Sequence, residues 1–130
     1  MNDTNLKTPA ATLLIVDDSR VSRTMIRGRV QAAHPDWVIL EAGDGQEAMV
    51  MVQSHAPDFI SMDLNMPGPS GFDTIVQIRA AGSRARIVLL TANVQLSSRE
   101  RAAELGVYFV KKPATADAVQ LMLAHFNQAS

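Results

Sequence analysis

Residues 13–19 read Leu-Leu-Ile-Val-Asp-Asp-Ser: four apolar side chains stopped abruptly by two carboxylates and a hydroxyl. The apolar run is short, unbroken and partly β-branched. It reads as a strand covered on both faces, as in a parallel sheet with helices above and below. The two acids mark its C-terminal end, and Ser19 can cap a helix that follows.

Four more runs of this kind lie downstream: Trp37-Val38-Ile39-Leu40, Phe59-Ile60-Ser61-Met62, Ile87-Val88-Leu89-Leu90 and Val107-Tyr108-Phe109-Val110. Amphipathic stretches separate them. Val21, Met25, Ile26 and Val30 suggest one helix face, and Ala48, Met49 and Val52 a second. Phe72, Ile75 and Val76 follow i, i+3, i+4, and Val119, Met122, Leu123 and Phe126 extend that pattern to i+7. The stretch from Ser97 to Leu105 has few large apolar residues, so it is the helix expected to be held most weakly. Asp44, Ser70, Ser97 or Ser98, and Thr115 are expected N-caps, with Gly82 and Gly106 just past C-termini. Five strands alternating with five helices make a doubly wound α/β fold. Residues 1–10 read as a flexible tail and residues 11–130 as one domain.

Composition narrows the function classes. The chain has 130 residues, the ordinary size of one domain, and 47% apolar residues, enough for a core. With 12 basic and 13 acidic residues, no electrostatic footprint for nucleic acid stands out. There is no cysteine, which excludes disulfides and thiolate metal sites. The polar N-terminus lacks a secretory signal pattern, and no apolar run approaches the roughly 20 residues that span a bilayer. The expectation is a soluble cytoplasmic protein without membrane or direct nucleic-acid contact.

The polar residues that end the strands carry the chemistry. Asp17 and Asp18 follow the first run, Asp63 the third and Thr91 the fourth, while Lys112 sits just past the fifth. In a parallel sheet all these ends lie along one edge, where open α/β sheets bind ligands. Three converging carboxylates need a neutralising cation. An all-oxygen ligand set with no nearby His or Cys favours Mg2+. Because Mg2+ uses only one or two carboxylates, an oxygen remains free to attack phosphorus and give an aspartyl phosphate. Lys112 and Thr91 could then stabilise the transferred group.

Each residue also has a bland reading. An isolated Asp-Asp pair caps a helix, Asp63 could be a loop acid before a Met-Pro turn, and Thr91 could be satisfied by backbone. Phe109 could be plain core. Gly43-Asp44-Gly45 superficially resembles a phosphate loop but lacks its lysine, so it reads as a turn and cap. His34, His55 and His125 are scattered and read as solvated. The functional reading wins because the acids, Thr91 and Lys112 fall in register.

The chain resembles the receiver domains of two-component response regulators from about Thr12 to Phe126. The matching motifs are Val16-Asp17-Asp18-Ser19, Glu41 to Ala48, Pro57-Asp58-Phe59-Ile60, Met62-Asp63-Leu64-Asn65-Met66-Pro67, Leu90-Thr91-Ala92 and Lys112-Pro113. The resemblance implies a flavodoxin-like receiver fold with strand order 2-1-3-4-5, the order already known for such folds. It implies that Asp63 is the phosphoacceptor and that Asp18, Asp63 and the backbone carbonyl of Asn65 bind Mg2+. Asp17 would support the metal through water. Lys112, rather than Lys111, pairs with Asp63, being the residue before the proline, in a Lys-Pro bond that the family usually has in cis. Thr91 and Phe109 take the switch positions, and Asn65 and Asn93 lie near the attacking water. Phe109 departs from the more frequent Tyr, and Ser70 from a frequent Asp. The implied partners are a sensor histidine kinase or phosphotransfer protein and a downstream protein target. The expected state is a monomer, with transient dimerisation as the alternative.

Rival readings are less economical. A Mg2+-dependent phosphatase of the haloacid dehalogenase class would need an acid where Asn65 stands, and a cap domain. A degenerate scaffold would lack some of the site residues, all of which are present. A chain that starts with Met and stops soon after the fifth helix suits a single-domain regulator. The alternative is a receiver module of a longer regulator with DNA-binding or enzymatic output.

Overall fold

The computed structural model describes residues 10–128, so the expected tail lies almost wholly outside the described residues. The elements are β1 (Thr12–Val16), α1 (Arg20–Ala33), β2 (Val38–Ala42), α2 (Gly45–His55) and β3 (Phe59–Met62). They continue with α3 (Gly71–Ala80), β4 (Arg86–Thr91), α4 (Leu96–Leu105), β5 (Tyr108–Lys111) and α5 (Ala116–Phe126). All strand pairs are parallel, in the order β2-β1-β3-β4-β5. This is the doubly wound, flavodoxin-like receiver topology that the resemblance implied.

Alternation along β1 builds a core on each side of the sheet. Leu13 and Ile15 join Ile26, Val30, Val119, Met122, Leu123 and Phe126 under α1 and α5. Leu14 and Val16 join Ala48, Val52, Ile75, Ile78 and Ala102 under α2, α3 and α4. The last helix buries the four residues that its spacing marks.

Two helix faces differ from the expected stripes. Val21 and Met25 are 70% and 42% exposed, whereas Ile26 and Val30 are buried. At about 100° per residue, Val21 lies about 140° around the helix from Ile26, and Met25 from Val30. The four residues therefore form no single face. On α3 the buried stripe is Gly71, Thr74, Ile75 and Ile78, with Phe72 half-buried and Val76 turned outward for the same angular reason.

Ser19, Asp44, Ser70 and Thr115 each accept a hydrogen bond from the backbone N–H three residues on, as N-caps do. Gly82 and Gly106 follow helix ends at positive φ. The expected Ser97 or Ser98 cap of α4 is corrected. Its N-cap is Gln95, which makes no side-chain cap bond. Asn93 Oδ1 instead accepts from the Gln95 N–H at 3.2 Å and from the Ser98 hydroxyl at 3.1 Å, so the helix begins earlier. Only the small residues Ser98 and Ala102 of α4 are buried, in keeping with a weakly held helix. The histidines are also not uniformly solvated. His55 is exposed, but His34 stacks on Trp37 and His125 on Tyr108, both half-buried.

Candidate functional site

The sheet's hydrogen-bond ladder runs one residue past the strand ends and anchors the backbone of three site residues. The Asp17 N–H donates to the Ala42 carbonyl, Asp63 N–H to Val16 and Lys112 N–H to Thr91, at 2.9–3.0 Å. These bonds place the backbones of Asp17, Asp63 and Lys112 side by side at the C-terminal edge of the sheet, with Asp18 one residue further on.

Carboxylate oxygens of Asp17, Asp18 and Asp63 lie within 4.8 Å of one another. Asp17 and Asp63 are 1% and 6% exposed, and Asp18 faces solvent. Lys112 Nζ sits 2.6 Å from Asp17 Oδ2 and 3.2 Å from Asp63 Oδ2. Burial pulls the Lys112 pKa down, but the hydrogen bond to Asp17 and the charges of Asp63 and Asp17 outweigh it and raise it above its ordinary value. Lys112 is thus held as a cation. Lys111 is exposed on the outer side, and the Lys112–Pro113 peptide is cis.

Within this cluster one ammonium stands against three carboxylates. The uncompensated charge matches a divalent cation, and the donors are all oxygen, so the residues present fit Mg2+. The Asn65 N–H lies 3.3 Å from Asp63 Oδ1 and keeps the loop folded against the acid. Thr91 is fully buried at the end of β4, and its Oγ1 accepts the Asn93 N–H at 3.1 Å. Phe109 is half-buried against the core under α2, α3 and α4, and the Arg99 guanidinium lies 5.1 Å from its ring centroid.

Several supporting residues escape sequence reasoning. Ser22 Oγ donates to Asp17 Oδ2 at 2.7 Å, and the Ser19 N–H donates to Asp17 Oδ1 at 2.9 Å, so the Asp17 carboxylate is oriented before any ligand arrives. Arg23 Nη1 donates to the Asp17 carbonyl at 2.6 Å while its Nε pairs with Glu41. Arg27 holds the other Glu41 oxygen at 2.6 Å. The i, i+4 arginines of α1 and the acid near the end of β2 were the available signal.

Burial alone would raise the Glu41 pKa, but the bonds from Arg27 and Arg23 outweigh it and lower it. Glu41 therefore contributes stability above the unfolded carboxylate value of about 4.3, and that contribution is lost as pH falls through the lower folded value. Glu41→Gln is expected to lower stability by about 1 kcal/mol at neutral pH. Thermal melts of variant and wild type should converge as the solution is acidified below about pH 4.

Gly71 is a second unforeseen requirement. A Cβ there would lie 2.3 Å from the Asp63 carbonyl oxygen and 3.0 Å from Leu64 Cα, both backbone atoms that cannot swing aside. Gly71→Ala is expected to destabilise the fold by about 1–3 kcal/mol, as overpacking does, and to displace the Asp63 loop. Denaturant melts and the Asp63 amide resonance would show it.

The sequence matches the family model of the response regulator receiver domain over residues 13–124. It is 33% identical over 108 residues to the chemotaxis protein CheY of Bacillus subtilis, covering 82% of this chain and 89% of that protein. To the nitrate/nitrite response regulator protein NarL of Escherichia coli it is 34% identical over 83 residues, 64% of this chain but only 38% of that longer protein. The solved structure of Vibrio cholerae chemotaxis protein CheY4 matches with a TM-score of 0.80 at 27% identity, over 89% of this chain and 98% of that one. With the parallel 2-1-3-4-5 sheet and the acidic cluster at its C-terminal edge, these matches establish that the chain belongs to the response regulator receiver domain family.

Proposed function

We propose that this receiver domain is the phosphoacceptor of a two-component phosphorelay, loaded at Asp63 by a sensor histidine kinase or phosphotransfer protein. The observation that carries the reading is the convergence of Asp63, Lys112 and the Asp17 and Asp18 carboxylates at one sheet edge. Asp18, Asp63 and the Asn65 carbonyl would hold Mg2+ directly, and Asp17 through water. When bound, Mg2+ neutralises carboxylate charge and draws electron density from the phosphoryl oxygens.

An Asp63 carboxylate oxygen attacks phosphorus, and the P–N bond to the donor imidazolium breaks with its electron pair passing to nitrogen. Neutral imidazole leaves, keeping the proton already on its other ring nitrogen. An acyl phosphate remains on Asp63. Lys112 stays beside Asp63 and turns its charge to the new oxygens, and the Thr91 hydroxyl donates to one of them. Beyond its own phosphorylation and slow dephosphorylation, the domain catalyses nothing. It acts as a cytoplasmic switch for a downstream protein target, without direct nucleic-acid contact. Among the described residues, no helix is long and apolar enough to cross a membrane.

Loading adds about 1.5–2 negative charges at Asp63. Movement of Thr91 toward them leaves room beside β5, into which Phe109 turns, and the weakly held α4 repositions. Phosphorylation shifts the populations of two pre-existing states. The test is acetyl phosphate with Mg2+, followed by intact mass and amide NMR. One phosphoryl group should add, abolished by a chelator, with shift changes concentrated at Asp63, Thr91, Phe109 and α4. Phe109→Ala should label normally and lose most of the shift changes in α4. Changes confined to α2 and α3 would mean that another face carries the signal.

The match to less than half of NarL favours one further reading, in which the domain is the receiver module of a longer regulator with a DNA-binding or enzymatic output. The length of the gene product decides between them.

A further inference from the structure

We infer that Ser98 and Arg99, neighbours in the first turns of α4, form a latch that holds Phe109 in its unphosphorylated position. The latch would be released from the Thr91 end through Asn93. The inference rests on the reading of Thr91 and Phe109 as switch residues and names the residues that regulate them.

The contacts form a continuous path. Thr91 Oγ1 accepts the Asn93 N–H at 3.1 Å, and Asn93 Oδ1 accepts the Ser98 hydroxyl at 3.1 Å and the Gln95 N–H at 3.2 Å. The N-cap residue Gln95 makes no side-chain cap bond, so Asn93 supplies the side-chain acceptor at the start of this helix. Ser98 is buried at 7% exposure, where a hydroxyl without a partner would be costly. Ser98 is thereby tied to the Asn93 turn. The next residue, Arg99, lays its guanidinium over the Phe109 ring at 5.1 Å. α4 buries only Ser98 and Ala102, while its C-terminal end is held by the Arg79 bond to the Leu105 carbonyl.

A Thr91 hydroxyl that rotates toward a phosphoryl group takes its lone pairs away from the Asn93 N–H. Asn93 then reorients, its Oδ1 leaves Ser98 and Gln95, and the first turn of α4 loses its anchor. Arg99 moves with that turn and uncovers Phe109. Coupling between sites needs an element with two arrangements that both ends bias, and in the proposed latch that element is the first turn of α4. A cation over an aromatic ring at an exposed site corresponds to about a 2- to 5-fold bias in such an equilibrium.

The test compares wild type, Arg99→Met and Ser98→Ala, each with and without acetyl phosphate and Mg2+. Arg99 is exposed and Ser98→Ala removes a single atom, so both variants should fold. The readouts are the Phe109 side-chain rotamer from scalar couplings and the Thr91 methyl resonance at the far end of the path. Without acetyl phosphate, Arg99→Met should move these signals about 2- to 5-fold in population toward the loaded wild-type values. Ser98→Ala should move them in the same direction, and both variants should still take the phosphoryl group at Asp63. If loading moves the Phe109 rotamer in wild type but either variant leaves it at the unloaded wild-type value, the latch is overturned and the switch reading stands. If loading leaves Phe109 unmoved in wild type, the switch reading falls and the latch with it.

Discussion

Asp63→Asn is expected to abolish labelling by acetyl phosphate or by a phosphorylated histidine partner. The amide oxygen of Asn is a far poorer nucleophile than a carboxylate. Asp17, the other buried acid of the cluster, has Oδ1 bonded to the Ser19 N–H and Oδ2 to Ser22 and Lys112. Asp18 is exposed at the rim. The substitution keeps the side chain's shape, and Lys112 retains its 2.6 Å contact with Asp17. Removing one of three crowded like charges offsets the lost 3.2 Å contact to Lys112, so stability should stay within about 1 kcal/mol. Intact mass after acid quench measures the label, and a denaturant melt shows that the variant is folded. Labelling at the wild-type level would overturn the assignment of Asp63.

Asp18→Ala is expected to weaken Mg2+ binding by at least ~100-fold, above the roughly 10–100-fold typical of losing an outer-shell partner. Labelling at low Mg2+ should fall in parallel, because Lys112 alone leaves carboxylate charge uncompensated where a phosphoryl group must enter. Asp18 is exposed, so no packing is lost. Its charge repels Asp17 and Asp63 within the 4.8 Å cluster, and the metal-free variant should therefore melt higher than metal-free wild type. Calorimetric titration with Mg2+ and melts in chelator measure the two effects. Normal Mg2+ affinity in the variant would move the ligand assignment away from Asp18.

Much of this molecule was legible along the chain. The five apolar runs mark five strands, to within a residue or two at each end. β1, β3 and β4 are covered on both faces as such runs imply, whereas the edge strands β2 and β5 expose Val38 and Tyr108. The acids, Thr91 and Lys112 could be placed at one edge because parallel strands all end there. Helix caps at Ser19, Asp44, Ser70 and Thr115 were readable because a cap is a contact across only three residues. The exposed Val21 and Met25 show the limit of counting apolar residues without checking their angle around the helix.

What the sequence by itself determined is therefore local: which residues are strand or helix, and which polar residues stand at strand ends. Tertiary structure alone decided which faces meet. It set Arg23 and Arg27 on Glu41, Ser22 on Asp17, Gly71 against the Asp63 backbone and Arg99 over Phe109. Lys112, already preferred to Lys111 as the residue before the proline, enters the cluster, and Lys111 stays exposed. The reason is physical. Periodicity and capping act over a few residues and are written in consecutive side chains. Contacts between elements depend on the register and twist of the whole sheet, which no short window of sequence contains.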